Sequence, residues 1–300
     1  MKSKHTYPYI ALTIGVIAVS TSAILVKLIT APAAVIAFYR MLFSTLLIAP
    51  FFIWHSLSEL KRMTKKDWMY STIAGIFLAF HFILWFESLN FTSVASSVVL
   101  VTLQPLFAFI GTFLFFKEKV SRFALFSVLT AIAGSVIISW GDFKVSGLAL
   151  YGDLLALIAC AMVTAYLLFG QGVRKRHSLT LYTFIVYGIC TVTLFIYCLF
   201  LNMPLTAYPA GDWVYFLLLA LVPTLLGHSL FNWSVKWIST NLISVAILFE
   251  PVGAIILAYF ILGEIVMWTQ VLGGIVIIFG IMCYLFEKKL LNQNTITQTH

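Results

Sequence analysis

A carboxylate, an amide, two imidazoles and a guanidinium sit inside long apolar runs, where each polar group needs a reason to be. Glu250 stands about ten residues into the run 240–262 and is followed by Pro251, while Gln104 stands in the run 93–116 and is followed by Pro105. At about 1.5 Å per residue Glu250 lies roughly 15 Å deep, near the middle of a bilayer whose hydrocarbon is about 30 Å thick. An ionised carboxylate there costs at least about 2.5–3.5 kcal/mol, so it must face a cavity, meet a partner or hold a proton. Proline adds to the polarity, because it removes a backbone donor and frees a carbonyl near position 247. Ser93, Ser97, Gln104 and Gly111 follow one another at spacings of four and seven and share a helical face. Gln104 and Glu250 are expected to line a solute or proton path. The alternatives are a neutral Glu250 that serves packing and small residues that bring helices close.

His81 and His228 occupy the middle of two further apolar runs. Thr224 and Asn232 flank His228 at minus four and plus four, giving a polar stripe with Pro223 as a kink, and Phe77 and Trp85 flank His81 at the same spacings. The stripes suit hydrogen bonding to a solute, ring stacking on a planar one, or proton movement, with cross-helix packing as the other reading. Neither histidine has a carboxylate or second histidine at three or four residues' distance, so no metal site is expected. Arg40 lies about seven residues inside its run, and Glu87 and Asp153 share its depth. An ion pair with one of them and an anion-binding site are both open. No sequence pattern for a nucleotide loop, a zinc protease or a serine nucleophile elbow is present, so no cofactor or catalytic residue is expected.

These groups need elements to hold them. With 62% hydrophobic and 9% charged residues, the 300-residue chain has too little polar material to cover a soluble globule and reads as an integral membrane protein. The formal net charge of +8 does not signal nucleic acid, because the basic residues form short clusters between apolar runs. Cys160, Cys190, Cys198 and Cys283 lie within apolar segments and read as packing residues. Runs of about 20 apolar residues fall at 8–28, 33–54, 68–88, 93–116, 122–140, 148–169, 179–201, 212–233, 240–262 and 267–286. The first of them, after Lys2 and Lys4, also resembles a signal peptide with Ser20–Ala23 as its small-residue end; an uncleaved span is preferred.

Fifteen of the 18 lysines and arginines fall on one side of a ten-span arrangement, which places both termini in the cytoplasm. Trp54, Trp68, Trp140, Trp213 and Trp268 fall at span ends as an aromatic belt, with Glu118 and Glu264 as anchors. Pro105 and Pro251 are 146 positions apart, and the same offset carries Glu118 onto Glu264 and Gly134 onto Gly280. At offset 145, Asp67-Trp68-Met69-Tyr70 maps onto Asp212-Trp213-Val214-Tyr215. Each repeat therefore holds five spans, 8–140 and 148–286, and an odd number forces the second copy in upside down. The two pack as one membrane domain, with a polar tail over 287–300.

At Ala95-Ser96-Ser97 through Gln104-Pro105 to Phe115-Phe116-Lys117-Glu118, and again from Asn241 through Glu250-Pro251 to Gly263-Glu264, the chain resembles the EamA family of the drug/metabolite transporter superfamily. The resemblance covers about residues 8–286. It implies a proton-linked or facilitative carrier of small metabolites such as amino acids or amphiphilic compounds, often an exporter, with a central cavity. The expectation is a multi-pass protein of the bacterial plasma membrane that moves a small-molecule substrate by alternating access around a midplane site, with protons as a coupling ion. The alternatives are an integral-membrane enzyme using Glu250 and His228 as acid and base, and a sensor or channel-like protein.

Overall fold

A computed structural model describes residues 7–105, 107–108, 111, 121–140, 147–265, 267–269, 271–280 and 282–283. All regular structure among them is helical. α1 (Tyr7–Ser20) and α2 (Ser22–Lys27) form one span interrupted at Thr21. α3 (Ala33–His55), α4 (Lys65–Ser88), α5 (Val94–Val101) and α6 (Arg122–Ser139) follow. Then come α7 (Gly147–Arg176), α8 (Leu179–Phe200) and α9 (Ala210–Leu219), which continues through a π-helical stretch (Ala220–His228) into α10 (Ser229–Ser234). α11 (Thr240–Ile247), α12 (Glu250–Leu257) with a π-helical end (Ala258–Leu262), and α13 (Val271–Gly280) complete the order.

Seven of the described helical segments are long and apolar enough to cross a membrane. Of the remaining expected spans, 122–140 is α6, while 93–116 and 267–286 run partly through residues outside the described set, as do Glu118 and the tail. One boundary differs from expectation. Arg174, Lys175 and Arg176 form the last turn of α7 rather than a loop, where cations complement the helix dipole.

Small polar residues start the helices. The Ser93 hydroxyl accepts the Ser96 amide at 3.1 Å and the Ser239 hydroxyl accepts the Leu242 amide at 3.4 Å. These two caps stand at the repeat offset. The breaks before the prolines also repeat residue for residue: the Leu103 amide reaches back only to the Leu100 carbonyl at 3.3 Å, and the Phe249 amide only to the Ala246 carbonyl at 3.1 Å. Each tightened turn ends one half-helix, and the next begins on Gln104 or Glu250, where the missing proline N–H costs nothing.

Without a hydrophobic force between helices in lipid, close approach and hydrogen bonds must hold the bundle. A Cβ on Gly75 would meet the Ile189 Cβ at 2.8 Å and the Val186 carbonyl at 2.9 Å, so only glycine lets α4 lie this near α8. α1 crosses the π-helical stretch in the same way, Gly15 against Phe231 and Gly227 against Val19. α3 and α8 pack along one another, and the hydroxyls of Thr45 and Thr191, 146 positions apart, meet at 3.2 Å. Phe200, Phe260 and Ile265 are large apolar groups exposed on the surface of the bundle. Trp54, Trp68, Trp140 and Trp268 are exposed at helix ends, whereas Trp213 turns inward and meets the Tyr39 ring edge-on at 4.8 Å.

Two buried aspartates tie the ends together. At the end carrying the basic turns, Asp67 closes a capping box with Thr64, accepts the Arg176 guanidinium, and lies 3.2 Å from His177 Nε2. Beside it Glu59 accepts the Ser178 amide at 3.1 Å. At the opposite end Asp212, its counterpart in the repeat, accepts the Thr30 amide at 3.1 Å and the Thr30 hydroxyl at 2.8 Å. Thr30 and Arg176 are themselves 146 positions apart. Each aspartate thus fastens the start of its own helix to the turn between two helices of the other repeat.

Candidate functional site

The half-helix starts at Gln104 and Glu250 open onto one enclosed cavity. Its polar wall is Ser22, His81, Trp85, Gln104, His228 and Glu250, and Val19, Val163, Leu167, Phe231 and Ile247 contribute to its apolar wall. The cavity measures about 20 Å³, room for one water molecule, whereas sites for drug-sized solutes span about 300–1,000 Å³. Among the described residues the site is therefore too small for such a solute.

Glu250 is 6% exposed, and its carboxylate has no hydrogen-bond partner among the described residues. Its backbone carbonyl accepts the Ser20 hydroxyl at 3.2 Å, which ties α1 to the start of α12. The His81 ring donates through Nδ1 to the Ala159 carbonyl at 3.0 Å, because a carbonyl can only accept. That bond leaves Nε2 as the ring's acceptor. The ring stacks on Trp85 with centroids 5.7 Å apart. His228 meets Phe82 and Phe231 edge-on at 5.7 and 6.0 Å. Two polar atoms in this wall, Trp85 Nε1 and Gln104 Oε1, are buried with no hydrogen-bond partner.

Arg40, Thr224 and Asn232 lie outside the wall. Arg40 is fully buried, and its Nε and Nη1 donate to Thr224 Oγ1 at 2.7 Å and Ser22 Oγ at 2.8 Å. Its guanidinium carbon sits 4.3 Å from the centre of the Phe82 ring. Among the described residues it meets no carboxylate within ion-pair distance, so of the two open readings the ion pair with Glu87 or Asp153 is not formed. Asp153 instead accepts the Thr92 hydroxyl at 2.9 Å, and Asn90 Nδ2 stands 3.4 Å from the Glu87 carboxylate. Arg40 Nη2 is buried without a partner. The guanidinium is separated from the cavity by one hydroxyl, that of Ser22.

Asn232 faces away from the cavity. Its amide donates to the Tyr166 hydroxyl, and its backbone carbonyl accepts Arg174 Nε at 2.8 Å, linking α10 to both the middle and the end of α7. The Tyr187 and Ser229 hydroxyls meet nearby at 3.4 Å. The reason the Thr224–His228–Asn232 stripe scatters is the π-helical stretch. The Thr224 hydroxyl bonds the Leu219 carbonyl five residues back at 2.7 Å, and the Ser229 amide bonds the Thr224 carbonyl. A wider turn rotates the residues that follow it, so spacings of four no longer share a face. Ser22, Tyr166, Tyr187 and Arg174 were not singled out by the sequence for this region. For Ser22 the only signal was its place in a run of small polar residues, and Arg174 was concealed within a basic cluster.

The wall brings together aromatic rings, one carboxylate and one amide, with two unsatisfied donors at or behind it. Among the described residues no group of three or more His, Cys, Asp or Glu side chains could hold a metal ion.

Comparison with known proteins follows the same lines. The EamA-like transporter family matches residues 6–140 and again residues 150–286. The chain is 25% identical to the uncharacterized transporter YxxF of Bacillus subtilis (strain 168), over 86% of this chain and 83% of that protein. It is 22% identical to an uncharacterized transporter of Archaeoglobus fulgidus, over 92% and 95%. It is 23% identical to the riboflavin transporter ImpX of Fusobacterium nucleatum subsp. nucleatum, over 64% and 67%. A solved structure titled "Crystal structure of protein" superposes with a TM-score of 0.72 over 97% of this chain and 99% of that chain, at 17% identity, and so shares the fold. The protein is a multi-pass membrane protein, consistent with a bacterial cell membrane, and it belongs to the EamA-like transporter family.

Proposed function

We propose that the chain is a secondary or facilitative carrier that exports a small organic metabolite by alternating access around the cavity bearing Glu250. Ten spans in two inverted five-helix repeats, 8–140 and 148–286, with both termini and the tail 287–300 in the cytoplasm, make one membrane domain. The observation that carries this reading is the convergence of Gln104 and Glu250, repeat equivalents at the starts of two half-helices, on one closed site. Discontinuous helices meeting near the midplane are how such carriers build a solute site. A cavity holding about one water fits the closed stage of a cycle in which the halves must part. Glu250 is the group that takes up or releases a proton as the site changes its exposure, because its charged form is expensive at that depth. The ring-lined wall suits amino acids, amphiphilic compounds and planar solutes, in keeping with the name of the riboflavin-transporting relative.

Accelerated counterflow in proteoliposomes tests the reading. A carrier exchanges a labelled solute against an unlabelled one, an enzyme using Glu250 and His228 returns it altered, and a channel shows no counterflow. Glu250→Gln should keep exchange and flatten its dependence on pH. Exchange with an unaltered pH profile in that variant removes Glu250 from the mechanism.

A further inference from the structure

The buried polar atoms around the cavity without a partner are unequal in kind. Gln104 contributes an amide, which can accept or donate, but Trp85 Nε1 and Arg40 Nη2 can only donate. Trp85 is 3% exposed and lines the cavity, and Arg40 is 0% exposed and held directly behind Ser22. A buried donor left unmade is costly, and a buried guanidinium without a counter-anion is costlier. The neighbours fix the guanidinium without an ion pair: among the described residues it rests on two hydroxyls and the Phe82 face, and Glu250 is the only carboxylate among the described residues that line the cavity. Two orphaned donors from adjacent helices, one of them cationic, complement an acceptor with two oxygens and a negative charge.

We propose that, once the halves part and widen this cavity, the solute binds it through a carboxylate, with one oxygen on Trp85 Nε1 and the other on the Arg40 guanidinium as the Ser22 hydroxyl turns aside. This deepens the carrier reading by naming the substrate class of the same site, and rests on it only in taking the cavity as the place where solute binds. The rest of the solute lies against the rings of Trp85, His81 and Phe231. Arg40 thereby selects for charge and Trp85 for the geometry of the head group.

Three probes of one shape isolate the head group: phenylacetate, phenylacetamide and phenethylammonium. Saturable thermal stabilisation of the purified full-length protein in detergent is the readout. Phenylacetate should stabilise it with an affinity about 10- to 100-fold above the amide's, as expected for a charge-assisted pair, and the ammonium should not compete. Trp85→Phe, which keeps a ring and loses the donor, should weaken phenylacetate by about 5- to 10-fold and the amide by less. Arg40→Gln should erase the preference, and Arg40→Lys should restore part of it. Equal binding of amide and acid, preference for the ammonium, or no saturable shift with phenylacetate overturns the proposal on the wild-type protein alone, whether or not the Arg40 variants fold. Exchange of phenethylammonium but not phenylacetate in counterflow would retain the carrier and discard the carboxylate. Loss of counterflow for every solute, with the phenylacetate shift intact, would do the reverse.

Discussion

Replacing Asp67 by asparagine should loosen the end of the bundle that carries the basic turns, and the structure indicates by how much. The carboxylate makes two sets of bonds. Those to the Thr64 amide and hydroxyl, at 3.0 and 2.8 Å, lie within one helix start and move with it, so they cannot distinguish a closed end from an open one. Only the bonds to Arg176 and His177 cross to the neighbouring turn. The Arg176 side chain is 52% exposed, so solvent screens that pair to about 0.2–1 kcal/mol. The His177 contact at 3.2 Å is buried and adds about 1 kcal/mol. Thr64 still caps the helix and an asparagine oxygen can still accept the Thr64 amide, so folding is preserved while roughly 1–2 kcal/mol of closure is lost, a factor of about 5–30 in the ratio of closed to open.

Spin labels at Lys61→Cys and Lys175→Cys, both exposed, in a Cys283→Ser background measure this end by double electron–electron resonance. A wild-type open fraction near 1% should rise to roughly 5–25% as a longer distance component. A second pair at Asn90→Cys and Gly211→Cys reports the opposite end, where a side chain on Gly211 meets open space. Its distances should not lengthen. An Asp67→Asn distribution indistinguishable from wild type, or equal lengthening at both ends, refutes the idea that this aspartate fastens one end.

Other outcomes follow from single contacts. Gly75→Val should lower the melting temperature by several degrees, because even a Cβ meets Ile189 at 2.8 Å and overpacking costs about 1–3 kcal/mol; an unchanged melt would show that α4 and α8 can shift apart freely. Asn232→Ala should destabilise by about 1–3 kcal/mol, since it leaves the Tyr166 hydroxyl without its donor, and should couple with Tyr166→Phe in a double-mutant cycle in detergent unfolding. A membrane-impermeant maleimide added to intact cells should treat Lys61→Cys and Lys175→Cys alike, and opposite to Asn90→Cys and Gly211→Cys. Labelling that divides either pair would refute the sidedness drawn from the basic residues.

Depth was legible in the chain and azimuth was not. The apolar runs place Gln104, Glu250, His81, Trp85 and His228 at the level where they meet, since length along a helix maps directly onto height in the membrane. The prolines marked their own breaks, down to the repeated turns at Leu103 and Phe249. Arg40 shows what is lost without azimuth. Glu87 and Asp153 share its level, but its partners are Ser22 and Thr224, reached because α2 and the π-helical stretch lie beside α3. The same stretch defeated the reading of Thr224, His228 and Asn232 as one face, because that reading assumes 3.6 residues per turn throughout. No residue type announces a π turn; Pro223 was the nearest signal, and it reads equally as a kink.

Thr45 and Thr191 have a consequence of their own. In two halves related by a twofold rotation, a residue that touches its own counterpart must lie beside the line about which the halves interchange. Points on that line travel least when the halves rock, and their surroundings look the same whichever way the protein faces. In the proposed rocking cycle the hydroxyl pair at 3.2 Å would therefore act as a fulcrum. Thr45→Val should weaken both facing states by the same amount and leave their ratio alone, so that a defect there reads as a less stable protein with an unaltered preference for either side of the membrane.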